Sequence, residues 1–148
     1  MAQSYEKPLT KNDLGLTGSN QGGVCVPRAN RALLDFFPVL EESEINPEAW
    51  VECIDPNGKT WKMRYVYYNG KLHNTSTRNE YRITCMTTFF KEWNAVEGSS
   101  VNFKSTDDAN TFFIRIVDPT PTTPVQNTQR LDGEFPPKII LKRWRRIH

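Results

Sequence analysis

The chain lacks most of the residues from which metal sites and disulfide frameworks are built. Its 148 residues include only two histidines, His73 and His148, and three cysteines, Cys25, Cys53 and Cys85. The cysteines are widely spaced, have apolar neighbours and form no CxxC or Cys/His cluster, which argues against zinc and indicates buried, reduced thiols. We therefore predict no metal site and no cofactor.

Long apolar runs are also missing. Residues 1–12 are polar and lack the apolar stretch of a secretory signal, and no apolar run approaches the length that spans a membrane. These absences predict a cytoplasmic protein with no membrane partner. The formal net charge of +2 is too small to indicate nucleic-acid binding by itself, so any such function depends on where the charges lie.

The sequence shows no carboxylate pattern of the kind that holds Mg²⁺ and activates water in a nuclease. No Asp is followed by a Glu-x-Lys or Asp-x-Lys triplet. Asp132, Glu134 and Lys138 come nearest, but two prolines between them argue against a strand-borne site. We predict a chain without catalytic residues, and the alternative is that the chain is itself a metal-dependent nuclease.

The order of apolar and turn-forming residues predicts a mainly β, barrel-like domain with two short helices. A single domain of this size can bury a real core. The predicted helices lie at 30–37, with Asn30 as N-cap, and at 88–95. The predicted strands lie at 24–26, 49–54, 60–68, 78–84, 100–104 and 112–117.

The C-terminal part of the chain, in contrast, is poor in apolar periodicity. Residues 118–136 are rich in Pro, Thr and Gln, which predicts a surface loop or linker. Residues 137–148 are predicted to hold a last strand, at 138–141, and a basic tail. We treat residues 1–148 as one domain that includes these segments.

Glycine is concentrated near the N-terminus, with four glycines in residues 14–23. Glycine allows positive φ and close approach of the backbone to a partner. Within this segment Asn20 and Gln21 carry paired donor and acceptor groups that suit adenine or phosphates. An ordinary tight loop is the alternative interpretation of the glycines.

Charged residues alternate on the strand predicted at 78–84. Arg78, Glu80 and Arg82 occupy every second position, so an extended chain places them on one face. Arginine forks onto guanine O6 and N7 in a DNA major groove, and glutamate accepts a hydrogen bond from cytosine N4. The alternative is an exposed strand face whose opposite charges are paired for solubility.

Two segments of the chain resemble the N-terminal DNA-binding domain of EcoRII-type restriction endonucleases. One runs from residues 9–13 through 17–23 to Val26 and Pro27, and the other joins residues 67–69 to 77–84. Residues 89–103 are also similar to the plant B-three DNA-binding domain, which shares that fold. The resemblance covers roughly residues 9–117 and, loosely, the last strand.

The resemblance implies a seven-stranded pseudobarrel with two arms that grip double-stranded DNA from its major groove. The glycine-rich segment would be the N-terminal arm, and residues from about His73 to Thr84 the C-terminal arm. The residues implied in base reading are Arg78, Glu80, Arg82, Asn79, Asn20 and Gln21. The residues expected at the DNA backbone are Lys11, Asn12, Ser19, Arg28, Lys71, Ser76, Thr77 and Tyr81.

The function that this resemblance implies is sequence-specific DNA binding as the effector or target-recognition domain of a type II restriction endonuclease. The recognised site would be of the CCWGG kind, a nuclease domain would follow in the parent chain, and the protein would act in the bacterial cytoplasm at the nucleoid. A plant-type transcription regulator with the same fold is the other alternative.

Overall fold

The computed structural model describes residues 2–16, 22–119 and 143–147, and within them eight strands and two short helices. The strands are β1 (Ser4–Pro8), β2 (Val24–Val26), β3 (Glu48–Ile54), β4 (Thr60–Tyr68), β5 (Glu80–Thr84), β6 (Ser100–Ser105), β7 (Thr111–Val117) and β8 (Arg145–Arg146). Helix α1 spans Arg31–Phe36 and helix α2 spans Thr87–Glu92.

All eight strands belong to one sheet with the order β2-β5-β4-β3-β7-β6-β1-β8. Only β3 and β7 pair in parallel; the other neighbours are antiparallel. The two ends of the sheet approach each other, because Trp144 Nε1 donates a hydrogen bond to the Cys25 carbonyl of β2 at 2.8 Å. This contact joins the segment before β8 to β2 and gives the sheet its barrel-like shape.

Aromatic side chains fill the interior. Phe37, which follows α1, is the centre of this cluster: its ring lies 5.2 Å from Tyr65, 5.3 Å from Phe112, 5.6 Å from Phe103 and 6.1 Å from Trp144. Rings at such separations and tilted orientations pack favourably beyond the area they bury. The end of α1 therefore closes the barrel by placing the rings of Phe36 and Phe37 among residues from several strands.

Asp55 organises the outside of the barrel near α2. Its two carboxylate oxygens accept hydrogen bonds from Trp61 Nε1 at 3.0 Å, Trp93 Nε1 at 3.1 Å, and the backbone N–H groups of Asn57 and Lys59. Burial alone raises the pKa of the Asp55 carboxyl, but these four hydrogen bonds outweigh it, so that the net pKa lies below its ordinary value. The turn between β3 and β4 thus fixes both tryptophans.

The predicted fold class, mainly β with two short helices, is confirmed. The resemblance implies seven strands, whereas the sheet has eight among the described residues: six that were predicted, and the polar β1 and the two-residue β8, which were not. Arg145 and Arg146 of the predicted basic tail form β8: both pair with β1, and Arg145 donates a hydrogen bond to Glu6 at 2.8 Å. Helix α2 ends at Glu92 and is shorter than predicted.

Residues 120–136 of the linker predicted at 118–136 lie outside the described residues, as do the strand predicted at 138–141 and the residues Asp132, Glu134 and Lys138. The three cysteines are free, but only Cys53 is buried; Cys25 is half-buried and Cys85 is exposed. The prediction of three buried thiols is therefore wrong for Cys85, which occupies a left-handed turn with φ of 66° between β5 and α2.

Within the described part of the chain, no group of three or more His, Cys, Asp or Glu side chains converges as metal ligands would. No helix in that part is both long and apolar enough to cross a membrane.

Candidate nucleic-acid interface

The outward side of β5 carries Glu80 and Arg82, whereas Tyr81 and Ile83 point into the core. This is the alternation that the sequence predicts. Residues directly opposite each other on antiparallel strands share a side of the sheet. Tyr68 of β4 lies opposite Glu80, so its ring belongs to the same surface.

Arg78 lies just before β5, since the strand begins at Glu80 rather than at residue 78. It nevertheless joins this surface. Arg78 Nη2 and Nε donate to Glu80 Oε2 at 2.6 and 3.2 Å, and the guanidinium carbon lies 3.8 Å above the centre of the Tyr68 ring. We call Tyr68, Arg78, Glu80 and Arg82 the outer β5 surface. Arg78 is held there from two directions, by a carboxylate and by an aromatic face.

A second arginine supports Tyr68 from the other side. Arg64 Nη1 donates to the Tyr68 hydroxyl at 3.3 Å, and Arg64 Nε forms an ion pair with Glu48 on β3. Sequence analysis did not identify Tyr68 or Arg64 as site residues. The signal for both is spacing: Arg64 and Tyr68 are four residues apart on β4 and therefore face the same side.

Residues 71–77, at the start of the predicted C-terminal arm, form a compact turn whose hydrogen bonds converge on one carbonyl. The Gly70 carbonyl accepts hydrogen bonds from the backbone N–H groups of His73, Thr75 and Ser76, and Lys71 N–H donates to the Arg78 carbonyl at 2.9 Å. A Cβ at Gly70 would lie 2.1 Å from Ser76 Oγ, so a larger residue there would displace the Ser76 side chain.

Within this turn the side chains of Lys71, Ser76 and Thr77 are exposed. Ser76 Oγ accepts a hydrogen bond from the Arg78 backbone N–H at 3.2 Å. The turn therefore connects directly to the backbone that carries Arg78.

Asn69 fixes the base of this turn. Its side chain is fully buried and donates to the carbonyls of Glu42 and Glu44 at 3.2 and 2.8 Å, while its Oδ1 accepts from Asn46 N–H at 2.7 Å. A buried amide with all these partners holds two segments in one geometry. Asn69 was recognised in the sequence as part of a motif, but its structural function was not.

The N-terminal segment is described only in part, because Gly18, Ser19, Asn20 and Gln21 lie outside the described residues. Lys11 and Asn12 are exposed in the turn that follows β1.

Gly22 and Gly23 are buried, and their close approach is to the protein itself rather than to a partner. A Cβ on Gly23 would lie 2.4 Å from the Ile83 carbonyl of β5, which explains the glycine there.

One residue connects the turn after β2 to the segment before β5. Arg28, in the turn after β2, donates from Nε to the Asn79 carbonyl at 3.1 Å, and Asn79 Oδ1 accepts from the Tyr67 hydroxyl at 2.5 Å. Asn79 is thus held from both sides just before β5. These contacts place Arg28 beside the outer β5 surface.

Tyr81 is not at this surface, in contrast to the prediction that it contacts the DNA backbone. It is only 7% exposed, and its ring stacks on Tyr67 with centres 4.1 Å apart. Burial first, and the neighbouring Glu42 carboxylate second, raise the pKa of Tyr81 to about 12. Its position in the β5 alternation, between Glu80 and Arg82, is what directs it inward.

Comparison with known proteins gives matches to restriction enzymes. The family described as "Restriction endonuclease EcoRII, N-terminal" matches residues 1–100. The type II restriction enzyme EcoRII of Escherichia coli is 34% identical over 88 residues, which cover 54% of this chain and 20% of that protein. The chain thus spans about a fifth of the curated relative that it matches.

Solved structures give the same fold. The B3 domain of the UbaLAI restriction endonuclease, determined with cognate DNA, aligns with a TM-score of 0.59 and 20% identity, covering 98% of this chain and 86% of that one. The Arabidopsis FUS3–DNA complex aligns with a TM-score of 0.59 and 16% identity, covering 78% of this chain and 96% of that one. The fold is therefore a B3-like pseudobarrel.

Proposed function

Since this chain belongs to the family of restriction endonuclease EcoRII N-terminal domains, we propose that it is a sequence-specific double-stranded DNA-binding domain. It acts as the effector or target-recognition part of a type II restriction endonuclease. A nuclease domain follows in the parent chain, and the domain itself carries no catalytic residue. Such an enzyme works in the bacterial cytoplasm, at the nucleoid.

The observation that carries this proposal is the geometry of Arg78. Its guanidinium lies between the Glu80 carboxylate and the Tyr68 ring, which limits the rotamers open to a side chain that is 48% exposed. A surface arginine ordinarily loses rotamer entropy when it binds. Arg78 has already lost part of it, as expected of a side chain arranged to meet one base edge.

The outer β5 surface fits a G·C pair in the major groove. Arg78 and Arg82 donate to guanine O6 and N7, and Glu80 accepts from cytosine N4. This chemistry is compatible with a short site of the CCWGG kind. Asn79 supports these side chains through Tyr67 and Arg28, and Asn20 and Gln21 read bases from the N-terminal arm.

The DNA backbone lies on both sides of this surface. Lysines, arginines and small polar side chains supply most phosphate contacts in such complexes and set the register without reading sequence. The exposed residues that we assign to these contacts are Lys11, Asn12, Arg28, Lys71, Ser76 and Thr77, with Ser19 of the N-terminal arm.

Structural likeness supports duplex DNA as the ligand. Both solved neighbours reported above were determined with DNA, one from a restriction endonuclease and one from Arabidopsis. The plant protein keeps a transcription-regulator role open as a second candidate, but the family match over residues 1–100 favours the restriction role.

Selection of binding sites from randomised duplex DNA at moderate salt tests this function. We expect one short sequence to be enriched and the DNA to remain intact with Mg²⁺. The log–log dependence of affinity on salt should have a slope of roughly −3 to −7, about −0.9 for each neutralised phosphate. A slope near zero, no enriched sequence, or efficient cleavage by this chain alone would contradict the proposal.

A further inference from the structure

The arginines of this chain differ in whether a carboxylate neutralises them. Arg64, Arg78 and Arg145 each form an ion pair with a glutamate. Among the described residues, Arg28, Arg31, Arg82, Arg115 and Arg143 form no ion pair. Three of these charges lie close together, since Arg31 and Arg143 line one groove and Arg82 lies beside it.

The groove has a volume of about 720 Å³ and lies at the seam where the two ends of the sheet meet. One wall is the turn after β2, which leads into Arg31 at the start of α1, and the other is Arg143 with Trp144 before β8. Within the described part of the chain, no Asp or Glu lines it. Lys7, which also lines it, is neutralised by Asp13 at 2.6 Å, so the net charge of the groove comes from its arginines. We call it the basic groove.

The basic groove continues the outer β5 surface. Cys25 of β2 lines the groove and is the direct partner of Arg82 across the β2–β5 pair, so the two side chains share one side of the sheet. Burial first, and the Glu80 carboxylate second, raise the pKa of the Cys25 thiol, and Arg82 opposes them. A duplex lying on Glu80 and Arg82 therefore passes next to the groove.

We propose that the basic groove binds the sugar–phosphate backbone of the duplex, next to the base pairs that the outer β5 surface contacts. The proposal rests on the DNA-binding function inferred above. Arg31 and Arg143 supply the charge for phosphates, and arginine forks match phosphate oxygens. Trp144 and Ala29 offer apolar surface to the deoxyribose. An acidic protein segment is the competing occupant, and it is separated by the experiment below.

The test uses Arg31→Gln, Arg143→Gln and the double variant, with two duplexes: the one enriched by selection and one of scrambled sequence. We expect each single change to make the salt slope shallower by about 0.9, because one phosphate contact is lost. The double variant should bind both duplexes more weakly, on the order of tenfold, and the ratio between the duplexes should stay the same.

Two sets of variants control the comparison. Arg115→Gln removes an exposed arginine from β7, which lies midway along the sheet and away from the seam, and it should change neither slope nor affinity. Arg31→Lys with Arg143→Lys keeps both charges and should restore most of the lost affinity. A melting curve for every variant shows that the fold is intact.

The outcomes separate the two proposals. If the wild-type chain prefers the enriched duplex but the double Gln variant keeps the same slope and affinity, the basic groove does not contact DNA and this inference is wrong. If the wild-type chain binds no duplex at all, the proposed function itself fails. A change in which sequence is preferred would also overturn the inference, since backbone contacts carry no direct sequence information.

Discussion

The two sides of strand β5 differ in burial, in polarity and in what they contact. On the inner side, Ile83 and Tyr81 are 0% and 7% exposed, and Tyr81 stacks on Tyr67. On the outer side, Glu80 is paired with Arg78, whose side chain is 48% exposed. From Glu80 to Ile83, buried and exposed positions thus alternate along one strand.

The two sides of β5 also differ in how much they contribute to the stability of the fold. Burying one large apolar side chain contributes roughly 1.5–3 kcal/mol, whereas an exposed ion pair contributes roughly 0–1 kcal/mol to stability. The inner side of β5 therefore carries the strand's contribution to folding. The outer side contributes little to folding, and we propose that its arrangement serves DNA binding.

The largest expected effect comes from the inner side. Ile83→Ala should lower the free energy of unfolding by roughly 2–5 kcal/mol, because it leaves a cavity in a fully buried position. Ile83→Val, as the matched control, should lower it by roughly 0.5–1.5 kcal/mol. Denaturant unfolding measures both. Discrimination between duplexes, measured on the folded fraction, should not change. A loss of discrimination would show that the inner side of β5 also contributes to specific binding.

A destabilising change outside β5, at Asp55, tests whether specific DNA binding weakens simply because the fold is less stable. Asp55→Asn replaces an acceptor by an amide facing N–H donors, and it should lower the free energy of unfolding by roughly 1–3 kcal/mol. Because the folded pKa of Asp55 lies below its ordinary value of 3.8, its contribution to stability is present above that pH and is lost as pH falls through the folded pKa.

Acid denaturation followed by tryptophan fluorescence measures this contribution, since Trp61 and Trp93 both contact Asp55. Asp55→Asn should unfold with a weaker pH dependence than the wild type below about pH 4. An unchanged pH dependence would show that these hydrogen bonds do not stabilise the fold.

A smaller effect is expected from the ring that supports Arg78. Tyr68→Leu removes the aromatic face and should cost roughly 0.5–1 kcal/mol of specific binding, the strength of an exposed cation–π contact. Tyr68→Phe keeps the face and should retain most of the discrimination. If Tyr68→Leu still cost specific binding when Arg78 had been replaced by Ala, Tyr68 would not act through Arg78.

The smallest effect on affinity is expected from Glu80→Gln. Glutamate repels phosphates, so its loss should leave non-specific affinity unchanged or slightly raised. Discrimination should nonetheless fall, because Glu80 both accepts from cytosine and holds Arg78. Binding to the enriched and scrambled duplexes measures the two quantities separately, and unchanged discrimination would show that the ion pair serves solubility only.

Much of the fold could be predicted because local signals were strong. Asn30 caps α1 by accepting from Leu33 N–H, and β2, β4 and β7 lie within a residue of their predicted bounds. The two missed strands have no such signal. Ser4 and Glu6 of β1 are polar residues that are buried only because Asn102 and Arg145 bond them across the sheet. Such partners, 96 or more residues away, cannot be recognised from local pattern.

The outer β5 surface could be predicted from the sequence because it follows from the alternation of side chains along a strand. The basic groove could not, because it forms where the two ends of the sheet meet. The period of two places Glu80 and Arg82 together, and the same period shows that Tyr81 faces inward, which the resemblance alone did not reveal. The basic groove exists because residues 31 and 143 meet at the seam, where the contacts of Trp144 with Cys25 and Phe37 bring these distant segments together.

On this account, the inner side of β5 stabilises the fold and the outer side serves specific DNA binding. The variants Arg78→Ala and Arg82→Ala test this most directly, when their specific and non-specific affinities are compared and a melting curve is recorded for each. Each change should cost roughly 1–3 kcal/mol of specific binding and relax the preference for one G·C pair. The melting temperature should barely change, because neither side chain belongs to the core. Full sequence preference in both variants, or their unfolding, would show that the outer β5 surface is structural and would contradict the account.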